Sequence, residues 1–203
     1  AAAVAAASEE GLADVRSMCE GLQLLHEFSE HAKDALVSMG ERLSIPIVHA
    51  LLESKGLQSA RLSALNIVVT DSEFGSATVD RSRMEENLRT AMSDLEGCQV
   101  VLMEGFVGRD PDGEVTTLGR GGSDLTASLV ANMLGASRME KSTDVPGMLT
   151  ADPRVVPAAK IIDSMSYEEA MELCHFGAKV IYPPTLIPLR EAGIPLVIRS
   201  TFD

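Results

Sequence analysis

The sequence predicts an α/β protein, a three-layer αβα sandwich around a largely parallel sheet. Short β-branched runs alternate with helical patterns along the chain, and such alternation places helices on both faces of a parallel sheet. A glycine-rich turn, Thr116-Thr117-Leu118-Gly119-Arg120-Gly121-Gly122-Ser123-Asp124, runs straight into a helix marked by Leu125, Leu129 and Met133. Hydrophobic residues make up 45% of the 203 but aromatics only 3%, so the core is built from Leu, Ile, Val, Ala and Met.

Glu9 to about Ser38 reads as a helix with Leu12, Val15, Met18, Leu22 and Leu25 as its stripe. His26 and His31 are five apart and do not share a helix face as paired metal ligands would. Gly40 is expected to break the chain before a second helix through Ile45, Val48 and Leu51. That leaves Glu41 exposed and positioned at the break. Leu65 to Thr70 reads as a strand, Arg83 to Leu95 as a helix, and Gln99 to Phe106 as a second strand. Arg109-Asp110-Pro111-Asp112-Gly113 is hairpin-turn chemistry, with a return strand over Val115–Leu118. Ser123 or Asp124 is a natural N-cap for the helix after the glycine turn. A strand at Arg138–Thr143, a helix at Ser166–His175, a last helix after Pro183-Pro184 and a strand at Ile194–Ile198 complete the reading.

The net charge of −13 argues against a nucleic acid partner. No run approaches the roughly 18 apolar residues of a membrane span, and the alanine run at residues 1–7 has no basic n-region. It is expected to be undefined. The three cysteines form no C-x-x-C pair, which points to a reducing cytosol. Cys174 and His175 project about 100° apart on a helix, a poor catalytic dyad.

A glycine turn opening a helix is an anion site, because free N–H groups and the helix dipole point the same way. In a parallel sheet ligands lie beyond the carboxyl ends of strands. The junctions there offer Arg120, Arg154 and Lys179 as cations, Asp124 and Glu41 as acids, and backbone donors at Gly121 and Gly122. Arg120, Asp124, Arg154 and Lys179 are expected at one rim. Cations around a glycine cradle suit phosphoryl transfer.

The ordered set Gly105-Phe106-Val107-Gly108, Thr116 to Asp124, Thr143-Asp144-Val145-Pro146-Gly147, Asp152-Pro153-Arg154, Glu168 to Leu173 and Phe176-Gly177-Ala178-Lys179-Val180 resembles the catalytic domain of aspartokinases, within the amino acid kinase family. The resemblance implies the amino acid kinase fold over 8–203. It also implies transfer of the ATP γ-phosphoryl group to the β-carboxylate of L-aspartate, with Mg²⁺ bridging phosphate oxygens. By that resemblance Arg120 holds the substrate α-carboxylate and Glu41 the α-ammonium. Phe106 and Thr117 line the same pocket, and Ser123, Gly121 and Gly122 contact substrate or phosphate. Asp124 is the organising catalytic acid. Thr143, Asp144, Leu149, Arg154, Lys179 and Val180 lie on the nucleotide side. No side chain is assigned as a metal ligand.

Three departures stand out. The family pattern opens with a strand and Lys-Phe-Gly-Gly, whose lysine neutralises the migrating phosphoryl charge. No such run occurs here, so the domain is expected to be incomplete at its N-terminus. C-terminal small-molecule-sensing (ACT) domains are absent from the sequence, and a homo-oligomer through them is implied. Ser142, Leu149 and Tyr182-Pro183-Pro184 replace usual family residues. A sibling amino acid kinase with another substrate, or a non-catalytic binding subunit, shares the fold.

Overall fold

The computed structural model describes the chain except residues 1, 27, 152, 153, 176–179 and 203, and gives only the backbone for 2–8 and 10. It divides into two compact units, Ala1–Ser123 and Asp124–Asp203. The first holds α1 (Ala2–Leu25), α2 (Glu30–Ser54), β1 (Ser59–Leu62), α3 (Ala64–Ile67), α4 (Arg81–Ser93), β2 (Val100–Met103), β3 (Val107–Arg109) and β4 (Val115–Thr117). Helix α5 (Gly122–Leu134) begins at its end. The second unit adds β5 (Met139–Thr143), α6 (Tyr167–His175), a 3-10 turn over Pro183–Thr185, α7 (Leu186–Ala192) and β6 (Leu196–Ser200).

The α/β class follows the prediction, and the hydrogen-bonded strands come in pairs. β1 and β2 run parallel, with Ser59 opposite Val100 and Leu62 opposite Met103. β3 and β4 form the predicted antiparallel hairpin. β5 and β6 run parallel in the second unit, from Met139 opposite Leu196 to Thr143 opposite Ser200. Around them Ala131, Met139, Leu189 and Ile194 form one buried cluster, and Ala170, Ile181 and Leu186 another. In the first unit Ile67, Val68, Met84, Leu88 and Val107 are buried.

Two expected elements are corrected. The first helix does not run to Ser38. It ends at Leu25, His26 turns to φ +52, and α2 starts behind Ser29, whose hydroxyl accepts the Ala32 N–H at 3.2 Å. Gly40 and Pro46 then sit inside α2 without ending it. Glycine costs a helix about 1 kcal/mol relative to alanine, and an interior proline removes one hydrogen bond. Burial of Asp34, Ser38 and Met39 outweighs these local preferences. Glu41 is therefore half-buried in mid-helix, not exposed at a break. The alanine run expected to be undefined is helical from Ala2, in keeping with alanine's propensity.

The second correction concerns Leu65–Thr70. Its start is a helical turn, α3, and only Val69 and Thr70 pair, as bridges to Arg109 and Val79. The Ala64 N–H donates to the buried Glu104 carboxylate at 2.7 Å. A charge-assisted bond in a buried site outweighs β-propensity. The strand lies earlier, at β1. Contrary to the sequence reading, α2 is long and apolar enough to meet a membrane-span criterion. Its apolar window is only 11% buried, with Val37, Ile47, Val48 and Leu51 exposed, while Asp34 is buried against β4.

Two polar loops frame the hairpin. Asp110 accepts from the Ser72 hydroxyl at 2.8 Å and from the Asp112 and Glu114 N–H groups at 3.0 and 2.9 Å. Asp71 accepts from the Thr78 N–H at 2.9 Å and the Glu73 N–H at 3.2 Å. The Ser72 hydroxyl first, then these amides, hold Asp110 below the usual carboxylate range; the Thr78 N–H does most for Asp71. Both folded-state values lie below the unfolded ones, so this stabilisation is full above about pH 4 and is lost as pH falls through the folded values. Thermal melting should therefore drop below about pH 4, and an Asp71→Asn/Asp110→Asn variant should show a shallower drop.

Gly119 has φ +68, and a Cβ there would lie 2.8 Å from the Gly75 carbonyl oxygen. Gly119→Ala should destabilise the protein by about 1–2 kcal/mol or more in urea denaturation, from left-handed strain plus the clash.

Candidate functional site

The first unit brings Phe106, Thr117, Gly121, Gly122 and Ser123 into one structure. Phe106 has φ +73, and the Val107 N–H reaches back to the Gly105 carbonyl at 2.9 Å, closing a γ-turn. That turn is rare and strained for a non-glycine residue, and such strain, about 1–3 kcal/mol, concentrates at functional sites. The Phe106 carbonyl accepts the Leu118 N–H at 2.8 Å. The glycine turn then folds onto this corner. A Cβ on Gly122 would meet Leu118 Cβ and Phe106 Cδ2 at 2.9 Å, and one on Gly105 would meet Ser123 Cα at 2.8 Å. Only bare backbone fits at both positions.

Helix α5 begins at Gly122, after the Gly122 N–H closes on the Gly119 carbonyl at 3.1 Å. Ser123 and Asp124 therefore lie in its first turn and do not cap it, as the sequence suggested. An acid in the first turn is still favoured by the helix dipole. Arg120 and Ser123 are exposed, while Thr117 is buried. The Thr117 hydroxyl donates to Asp34 Oδ1 at 2.7 Å, and its N–H donates to Asp34 Oδ2 at 2.8 Å. Its proton is taken up inside the protein. The Gly75 N–H is the third donor to Asp34, at 2.8 Å. Glu41 stands seven residues beyond Asp34 on the same face of α2, about 10 Å along the axis.

In the second unit Asp124 Oδ2 receives the ammonium of Lys141. Lys141 comes from β5, where Met139, Lys141 and Thr143 face inward and Glu140 and Ser142 outward. At the strand's end the Thr143 hydroxyl donates to Asp144 Oδ1 at 3.0 Å, and the Thr143 carbonyl accepts from the Thr201 N–H at 2.8 Å. Leu149 bridges to Ile161, and Arg154 lies exposed on the loop beyond. Val180 is half-buried against the cluster that holds Ile181. Lys179, Asp152 and Pro153 lie outside the described residues. Burial raises the Cys174 thiol pKa, opposed by the Ile181 N–H and the Lys141 charge.

Sequence reasoning missed Asp34 and Lys141. A lysine in phase with Met139 on a five-residue strand was the available signal for Lys141. Among the described residues no group of three or more His, Cys, Asp or Glu could hold a metal ion.

The comparisons with known proteins agree with this layout. The amino acid kinase family model matches residues 3–200. Lysine-sensitive aspartokinase 3 of Escherichia coli is 37% identical over 94% of this chain and 43% of its own length. A bifunctional aspartokinase/homoserine dehydrogenase of Buchnera aphidicola is 35% identical over 93% of this chain and 23% of its own. The chain thus spans less than half the length of these relatives. The crystal structure of E. coli aspartokinase III in complex with aspartate and ADP aligns with a TM-score of 0.90 and 38% identity over 96% of this chain and 43% of that one. By the family match along nearly its whole length, the chain belongs to the amino acid kinase family.

Proposed function

We propose that the chain is the catalytic part of an aspartate kinase, which moves the γ-phosphoryl group of ATP to the β-carboxylate of L-aspartate. The observation that carries this reading is the strained Gly105–Val107 corner packed on the bare backbone of Gly122, with Arg120 exposed beside it. The similar E. coli enzyme was crystallised with aspartate and ADP, and that supports the same pair of ligands here.

A β-carboxylate oxygen attacks the γ-phosphorus, the bond to the bridging oxygen breaks, and ADP leaves. The products are ADP and 4-phospho-L-aspartate, and no proton need move. Catalysis is then positioning and charge stabilisation. Arg120 grips the α-carboxylate with a planar guanidinium fork. Glu41 receives the α-ammonium, Phe106 and Thr117 form the pocket wall, and Ser123 with the Gly121 amide and the side-chain-free Gly122 faces the transferring group. Asp124 organises the cations, and Thr143, Asp144, Leu149, Arg154, Lys179 and Val180 border the nucleotide. Mg²⁺, held chiefly by the substrate phosphates, would supply charge neutralisation during the transfer. A cytoplasmic homo-oligomer that binds neither nucleic acid nor membrane fits the acidic composition and the cysteine pattern.

The test is ADP release by the full-length protein with ATP and L-aspartate. Turnover with aspartate supports the reading. Turnover only with a glutamate derivative or a nucleoside monophosphate overturns it. Arg120→Ala should raise the KM for aspartate roughly 10- to 150-fold, the loss of one bond to a charged group, with the KM for ATP nearly unchanged. Asp124→Asn should lower kcat by about 100-fold or more with little change in Tm. An Arg120→Ala variant that loses ATP affinity and keeps aspartate affinity would reverse the division of the pocket.

A further inference from the structure

The contact between Lys141 and Asp124 has no part in the roles given above. Their side chains are only 17% and 23% exposed. Lys141 stands where the alternation of β5 calls for an apolar residue, between Met139 and Thr143 on the inward face. Half-buried ion pairs add little net stability, because desolvation offsets attraction. Stability is therefore a poor reason for a lysine at this place. The geometry offers another. Asp124 projects from the first turn of α5, the end of the helix suited to anions. Its own negative charge opposes any second anion brought there. Two residues beyond Lys141, β5 ends at Thr143, and Asp144 follows it on the nucleotide side of the proposed site.

We infer that Lys141 is the positioning residue of Asp124. It fixes one carboxylate orientation and cancels the charge, so that a nucleotide polyphosphate can approach the start of α5. This rests on the aspartate kinase reading for its turnover arm only. The nucleotide-binding arm stands apart from the identity of the acceptor.

The test uses the full-length protein and four variants: Lys141→Met, Lys141→Arg, Asp124→Asn and Lys141→Met/Asp124→Asn. Turnover is measured with ATP and aspartate, and ADP affinity is measured by calorimetry without added metal. Lys141→Met should lower kcat about 100-fold, leave the aspartate KM within about threefold, and weaken ADP binding about tenfold. Lys141→Arg should recover most of both. The double variant should regain ADP affinity, because removing the uncompensated anion removes the repulsion, and its kcat should be no lower than that of Asp124→Asn alone. A structural role for Lys141 would give no such recovery. Wild-type kcat and ADP affinity in Lys141→Met would overturn the inference, and so would weakened ADP binding that the second substitution does not restore. Should Lys141→Met fail to fold, Lys141→Gln takes its place with the same expectations. A wild-type protein inactive toward aspartate would count against the substrate, while the ADP arm still decides for or against Lys141.

Discussion

Asp34 fixes where the glycine turn can be. Its carboxylate is 1% exposed and takes donors from two separate segments, the Gly75 N–H from one loop and the N–H and hydroxyl of Thr117 from the end of β4. A buried carboxylate is tolerable only when its lone pairs are matched in this way. Once it is matched, α2, the 71–80 loop and β4 cannot move independently. The Ala77 N–H donates to the Thr117 carbonyl at 2.9 Å, so the turn is held from the same loop a second time, and Gly119 lies too close to the Gly75 carbonyl for a Cβ to fit. The positive-φ corner at Phe106 is then imposed from outside, through Leu118 and Gly122. Local strain persists when surrounding structure over-determines it.

That rigidity matters because the whole chain carries a net charge of −13 while the proposed reactants are anions. Long-range repulsion works against their binding, so the favourable terms must be local. In the proposed site the Gly121 amide, the dipole of α5 and the exposed Arg120 guanidinium would supply them at the end of the first unit. In the second unit the same logic explains why an acid, Asp124, comes with its own cation.

Much of this was legible in the sequence. The hairpin, the glycine turn, α5, β5 and α6 all carry strong local signals, and the motifs lie at those junctions. The failures share one cause. Gly40, Pro46 and the β-branched run at 65–70 are local signals overridden by distant partners, Asp34 with β4 and Glu104 with Ala64. These pairs are separated by 83 and 40 positions, and no window of local pattern contains both members. Glu41 was misplaced with the helix break. Lys141 was missed because a lysine in a strand reads as solvent-facing until its phase with Met139 is counted.

The Asp34 carboxylate is the clamp of the turn. Amide hydrogen exchange in wild type and Asp34→Ala tests it residue by residue. The Gly75 and Thr117 amides should be protected in the wild type and lose on the order of 100-fold protection in the variant, as about 3 kcal/mol of bonds to a charged group is removed. Amides of α4 around Met84 and Leu88 should change far less. Unchanged protection at Gly75 and Thr117 in Asp34→Ala would contradict the account.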